Sequence, residues 1–592
     1  MGFLPTTIKE VRALGWDAPD VILFTGDAYI DHPSFGAAVI GRLLEAEGLR
    51  VAVVPQPGWR DDLRDFRKLG APKLFFGVTA GSMDSMVNHY TANKRLRSDD
   101  AYTAGGVAGR RPDRAATVYS RILKELYPRV PVVLGGIEAS LRRLAHYDYW
   151  DDALRPSILA DSGADVVAYG MGDESMIEIA RALKNGPNIK LLRRLPQVAF
   201  LADEAYVGRL DPESTLRLHS MEECTADPKK FAENFVRIET ESNLLHPART
   251  IVEPVGDKFV VVNAPYPLMS TATLDRSFEL PYERLPHPRY NTAHTDSGSS
   301  KNSGGTRGSV GAQGGGEIPA WEMITNSVNI HRGCFGGCSF CTISAHQGKF
   351  ITSRSEASVL REVERLVRMP YFRGNLSDLG GPSANMYGMA GRDGEKCDRC
   401  RRPSCLTPGP CANLDRSHAR LLELYRRVRA VKGVKKAFVG SGIRYDLFED
   451  GTRGGEYLRE VIVNHTSGRL KVAPEHTEEH VLRLMRKPPW ESFERLNADF
   501  RRMCEQEGLR TQLIPYFISS HPGCSEGDMK RLSEKTRRLH LHTDQVQDLT
   551  PTPMTLASVM FYTGEDPYTG ERLFVARSQD DKRRQKSYFF KK

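Results

Sequence analysis

Seven of the ten cysteines in this 592-residue chain fall between residues 334 and 411, in two tight groups. The first group, HRGCFGGCSFC, places Cys334, Cys338 and Cys341 in a C-x3-C-x2-C spacing directly after the strand-like run SVNI (327–330). Three thiolates so close together cannot line one face of an ordinary helix. They can wrap a compact inorganic cluster if the backbone turns sharply, and Gly333, Gly336 and Gly337 supply that freedom. Iron–sulfur clusters normally take four thiolate ligands. Three leave one iron open, as an open coordination position marks catalytic metal sites. A zinc loop and unligated thiols are the competing readings.

The second group, CDRCRRPSCLTPGPC, gives Cys397-x2-Cys400-x4-Cys405-x5-Cys411. Pro403, Pro408 and Pro410 exclude a regular helix, so the segment reads as a knuckle around a second metal site. Four thiolates suit tetrahedral zinc and an iron–sulfur cluster equally well, and both stay open here. Arg399, Arg401 and Arg402 are expected to ease thiolate formation. Cys224, Cys504 and Cys524 stand apart and read as packed thiols.

The elements around these groups alternate between short apolar strands and amphipathic helices. Val21–Phe24, Val51–Val54, Lys73–Phe76, Val130–Leu134 and Asp165–Ala168 read as strands. Gly36–Glu47, Arg114–Tyr127 and Glu174–Leu183 read as helices between them. That order implies an α/β fold with a doubly wound parallel sheet, whose ligands bind beyond the C-terminal strand ends. After the Gly/Ser-rich stretch 291–316 the alternation resumes. Strands are expected at Ser327–Ile330, Ala437–Val439, Leu470–Val472, Leu513–Ile518 and Gln545–Leu549, with helices at Ser355–Arg368, His418–Val431 and Trp490–Glu507. Six or so β/α units in series suggest a full or partial barrel, with its active site at the C-terminal strand ends.

The domain expectation is therefore an N-terminal α/β domain over 1–200 and a mixed connecting region over 201–290. A flexible linker (291–316), a barrel over 317–555 carrying the cysteine-rich insertion 397–411, and a basic, frayed tail over 556–592 follow.

Composition narrows the classes further. Hydrophobic residues make up 40% and charged residues 27%, which fits a globular chain and excludes a wholly disordered one. No stretch is long and apolar enough to span a membrane, and the start MGFLPTTIKEVRALGWD lacks the pattern of a signal peptide. A reducing, cytoplasmic setting is expected, where clustered cysteines are metal ligands rather than disulfides. The net charge of +9 permits an acidic partner such as RNA without requiring one.

The string SVNIHRGCFGGCSFCTISAHQGK, with Phe340 before the last cysteine, resembles the radical S-adenosylmethionine (SAM) signature, and in particular its YgiQ-like family. SDLGGPSANMYG (377–388), SGIRYDL (441–447), LKVAPEHTEEH (470–480) and DQVQDLTPTPMT (544–555) support that branch, and the likeness covers most of the chain. The resemblance implies a 4Fe-4S cluster on Cys334, Cys338 and Cys341, with SAM on the open iron. Reductive cleavage of SAM would yield a 5′-deoxyadenosyl radical that abstracts hydrogen from a substrate. It also implies an electron donor as partner and a substrate of unknown identity, RNA or protein among the classes.

Candidate SAM contacts follow by motif. Gly380 and Gly381 occupy the place of the glycine pair that meets the SAM amino group, although Pro382 stands where the family's Glu follows. Ser441 and Arg444 end another strand, and an arginine fork suits a carboxylate. Glu475 and His476 also end a strand.

The N-terminal domain resembles cobalamin-binding domains, but Asp31-His32-x3-Gly36 misplaces the histidine of D-x-H-x2-G. Cobalamin is accordingly not expected, and Asp31 reads instead as a helix start. A non-catalytic iron–sulfur sensor is the second class of function; it would need a fourth ligand at the first cluster.

Overall fold

A computed structural model describes residues 2–186, 188–290, 317–448, 452–541 and 545–590. The expected linker 291–316 lies outside them. The N-terminal half is built on one nine-stranded sheet. Its strand order is 51–55, 21–25, 75–79, 132–134, 166–168, 198–202, 258–262, 250–255, 215–217. The first five strands are parallel. The runs Val21–Thr25 and Val51–Pro55 are buried throughout because both faces of the sheet are covered. Val21 and Leu23 face one core with the helix Gly36–Ala46, while Ile22 and Phe24 face another with the helix Ala115–Leu126. That alternation is what doubly winds the sheet.

The sheet does not end near residue 200. Thr215–Arg217, Thr250–Val255 and Lys258–Val262 extend it, so the region expected to connect domains completes this one instead. The hairpin pairing His146–Asp148 with Ala153–Arg155 has too short an apolar run to be read from sequence.

In the second half, parallel neighbours in the wall are also neighbours in sequence. Ser327–Asn329 pairs with Asp378–Gly380, and Asn375–Leu376 with Lys436–Ala437. Ile443 bridges to Val472, Arg469–Glu475 pairs with Gln512–Ser519, and that strand pairs with Val546–Asp548. This is the wall of a partial (β/α) barrel around a single apolar core.

The C-terminal region is not a frayed tail. Leu556–Thr563 is a buried helix, and Gln579–Phe590 packs along Glu526–Arg538. Lys582 and Gln585 are buried, and Gln585 accepts from Ser520 N and donates to Cys524 O. Charge in the string KRRQKSYFFKK hides this because only one face of the helix is solvated.

Candidate functional site

The two-residue strands His331–Arg332 and Thr352–Ser353 pair antiparallel and pinch the neck of the first cysteine loop. Between them lie Cys334, Cys338, Cys341 and the short helix Ile343–Gln347. Two glycines fix the loop. Gly333 has φ +88°, and a Cβ there would sit 2.0 Å from Phe350 O; Gly337 has φ +60°, and a Cβ would sit 2.3 Å from Pro403 O. Both obstacles are backbone, so no other residue fits.

The three thiols act on one another. Burial pushes the Cys341 thiol up to about 12, with Cys338 and Cys334 adding to it. Burial likewise raises Cys334, while Arg444 works against that rise. A metal bound there would have to displace these protons.

Charged groups from three strand ends surround the loop. Arg444 donates from Nη1 to Cys338 Sγ at 3.4 Å, and its fork closes on Asp446. Burial pushes the Asp446 carboxyl up, but Arg444 outweighs it and holds the group below the usual range. The arginine expected to bind a free carboxylate is thus already engaged with Asp446 and with a cysteine of the loop. Glu475 lies at φ +68°, a strained position for a non-glycine residue, with its buried carboxyl 3.7 Å from Lys487 Nζ. His476 uses both ring nitrogens internally, Nδ1 accepting from Glu478 N and Nε2 lying 3.4 Å from Cys524 Sγ.

Gly380 and Gly381 close the strand Asp378–Gly380 beside the loop. A Cβ on Gly381 would lie 2.5 Å from His331 Nε2, and one on Gly380 would lie 2.1 Å from Ser441 Oγ. Ser441 donates from Oγ to Asp378, whose other oxygen accepts from Gly440 N at 2.7 Å. Lys487, Asp446, Asp378 and His331 were not singled out from sequence. Asp446 had a signal, being two residues beyond Arg444 in SGIRYDL; the others had none.

The second cysteine group docks on the first. Cys405 N donates to Phe335 O at 3.0 Å, and Ser404 Oγ donates to Gly336 O at 2.7 Å. Burial pushes the Cys405 thiol up to about 11, with Cys411, Cys400 and Cys397 adding to it. The cation acting there is Lys349, in place of the expected Arg399 and Arg401, while Arg402 donates to Thr407 O and Gly409 O. Among the described residues, no three His, Cys, Asp or Glu side chains converge on a single-ion geometry. A four-iron cluster spreads its thiolates over several metals, whereas one zinc ion draws its sulfurs to ~2.3 Å.

Two cavities adjoin this centre. One, of about 360 Å³, lies at the C-terminal ends of the first parallel strands, against Thr25, Asp27, Thr79 and Gly135–Gly136. This is the switch point of the sheet, where the strand order reverses. It reaches across to Asn329, Arg332 and His346 of the barrel half. Asp31 and His32 are not on its wall. Asp31 pairs with buried Arg42, and the helix expected to begin there starts at Gly36. The second cavity, of about 200 Å³, runs from Tyr169 and Gln197 to Ser344–Thr352.

A three-thiol loop at the rim of a partial barrel, preceded by a doubly wound sheet, defines a radical SAM protein. The family model described as Radical SAM N-terminal matches residues 3–299, and a domain of unknown function, DUF3362, matches 544–591. A UPF0313 protein of Bacteroides thetaiotaomicron is 55% identical over 99% of this chain and 94% of its own length. One of Geobacter sulfurreducens is 46% identical over 99% and 92%. The chain belongs to UPF0313, the YgiQ-like family of radical SAM proteins.

Two solved structures are similar at lower identity. The radical SAM methyltransferase TsrM from Kitasatospora setae, with cobalamin and a [4Fe-4S] cluster bound, gives 15% identity and a TM-score of 0.48 over 91% of this chain and 77% of that one. The cobalamin-dependent radical enzyme OxsB, with aqua-cobalamin bound, gives 9% and 0.47 over 94% and 57%. Both hold cobalamin, which corrects the expectation against that cofactor drawn from the displaced histidine. Among the described residues no helix is long and apolar enough to cross a membrane.

Proposed function

We propose that the chain is an enzyme that binds a 4Fe-4S cluster through Cys334, Cys338 and Cys341 and acts on SAM to abstract hydrogen from a substrate. When bound, the cluster and SAM supply reductive cleavage of the sulfonium to methionine and a 5′-deoxyadenosyl radical. The observation that carries this reading is the separation of the cysteines into a set of three and a set of four. The three lie within one loop, 334–341, and the four within a separate segment, 397–411, so this reading takes no fourth ligand for the loop from the knuckle. That favours a centre with an open iron over a closed sensor.

The chain's own residues then have distinct tasks. Arg444 donates to the Cys338 sulfur and offsets the negative charge of the thiolates. Gly380 and Gly381 let Ser441 and His331 pack against the backbone at the rim where the polar end of SAM would sit, and Ser441, held by Asp378, offers its hydroxyl oxygen there. The knuckle and the apolar cluster of Phe335, Met386, Met389 and Leu447 shield the loop from water. The metal of the knuckle is proposed to be zinc or a second iron–sulfur cluster, and an electron donor is the required partner. The switch-point cavity fits a flat organic cofactor facing the cysteine loop, and its place rests on the topology of the sheet.

The test is anaerobic reconstitution followed by reduction with SAM. Wild type should form 5′-deoxyadenosine, and the Cys334/Cys338/Cys341 triple alanine variant none. Equal product from both would sink the assignment. Titration of the same protein with hydroxocobalamin, read by its visible spectrum, decides the occupant of the larger cavity.

A further inference from the structure

The smaller cavity carries a charge that no carboxylate among the described residues balances. Arg143 is 5% exposed and lines the wall. Its Nη1 donates to Ser140 O at 2.6 Å and approaches Met554 Sδ at 3.2 Å; its guanidinium lies 4.6 Å over the Tyr169 ring. Its Nε has no hydrogen-bond partner. Among the described residues no carboxylate pairs with it, whereas Arg142 pairs with Asp84, Arg114 with Asp148 and Arg332 with Asp173. Of the carboxylates on the cavity wall, Glu241 is bonded to Arg249, and Glu174 makes no contact with Arg143. Burying an arginine without a counter-charge is costly, and such groups persist where a ligand supplies the charge.

A second group points the same way. His346 lines both cavities, five residues past Cys341, and its buried Nδ1 has no partner. Burial, Arg143 and Arg332 together push the imidazole down to about 4, so it is neutral and can donate a hydrogen bond. Much of the remaining wall is apolar, including Leu244, Leu245, Val262, Pro265 and Pro267.

We propose that this cavity binds a ligand with an anionic oxygen head, carboxylate or phosphate, on an apolar body, the head meeting Arg143 and His346. Because Ser344–Gln347 of the helix after the cysteine loop, His346 among them, form one wall, the ligand's head lies on the side of the cluster site. That this ligand is the hydrogen donor rests on the radical reading; that it binds does not.

Calorimetric titration of the full-length protein as purified, without SAM or reductant, with hexanoate, hexyl phosphate and hexylamine separates the two. Saturable binding of one of the two anions, and none of hexylamine, is expected; which anion binds identifies the head group. Arg143→Met should weaken that binding at least about 10-fold while keeping or raising the melting temperature, because it removes an uncompensated charge. His346→Phe removes a ring whose buried Nδ1 has no partner among the described residues, should weaken binding, and decides the matter if the first variant does not fold. No binding of either anion to wild type, or unchanged binding in the variants, overturns the proposal. Since neither SAM nor reductant is present, neither result depends on deoxyadenosine formation.

Discussion

At the scale of single residues, the site is a set of buried ionisable groups held in check by specific partners. Arg444 and Asp446 are mutual partners with little exposure. Removing one leaves the other buried and alone, so Arg444→Gln should destabilise the fold by about 3–5 kcal/mol. Arg444→Gln with Asp446→Asn should recover part of that loss, as a denaturant-unfolding cycle would show. Glu253 offers a pH test outside the two cysteine groups. Burial pushes its carboxyl up to about 8, against the backbone N–H of Ala145. A raised folded-state pKa means that its contribution is complete below the unfolded value near 4.5 and is lost as pH rises through about 8. The melting temperature of wild type should therefore fall over that window more than that of Glu253→Gln; parallel curves would refute this.

The cysteines were legible at this scale because spacing alone specifies their chemistry. Arg143 and Lys487 were not, since a basic residue shows its burial and its partner only after folding.

At the scale of elements, glycine makes the cluster loop what it is. Gly333→Ala places a methyl against Phe350 O at a positive φ, and Gly381→Ala places one against His331. The first should lower both melting temperature and iron content, because its obstacle is backbone. The second should leave iron bound and weaken SAM, because its obstacle is a side chain at the rim. Iron analysis and equilibrium dialysis with labelled SAM would separate them.

Most strands were legible as apolar runs, and their boundaries were limited by the turns that follow. Phe75–Thr79 begins two residues later than its apolar run suggests, because Lys73 N and Leu74 N bond the loop backbone of Pro19 and Asp20. The helix Gln579–Phe590 was misread because its composition is charged, and only its register places Lys582 and Gln585 inward.

At the scale of the whole molecule, the two halves are fastened by buried ion pairs that no local pattern announces. Arg332 meets Asp173 at 2.8 Å, Arg486 meets Glu239 at 2.7 Å, and Arg284 meets Glu362. Ile318 and Ala320, in the barrel half of the sequence, pack into the core of the N-terminal sheet. A protease cut between residues 291 and 316 should therefore leave the two pieces co-eluting on gel filtration; separate elution would contradict the interface. The fold class followed from the order of strands and helices, while the joining of residues 201–290 to the sheet did not, because the antiparallel hairpin of Thr250–Val255 and Lys258–Val262 breaks the parallel strand–helix–strand repeat.

The central claim is that Cys334, Cys338 and Cys341 hold a cluster with one iron open to SAM. Electron paramagnetic resonance of the anaerobically reconstituted and reduced protein, recorded with and without SAM, tests it most directly. The account predicts a cluster signal that changes when SAM is added to wild type and is lost in Cys338→Ala. A signal indifferent to SAM, or one that survives the substitution, would contradict it.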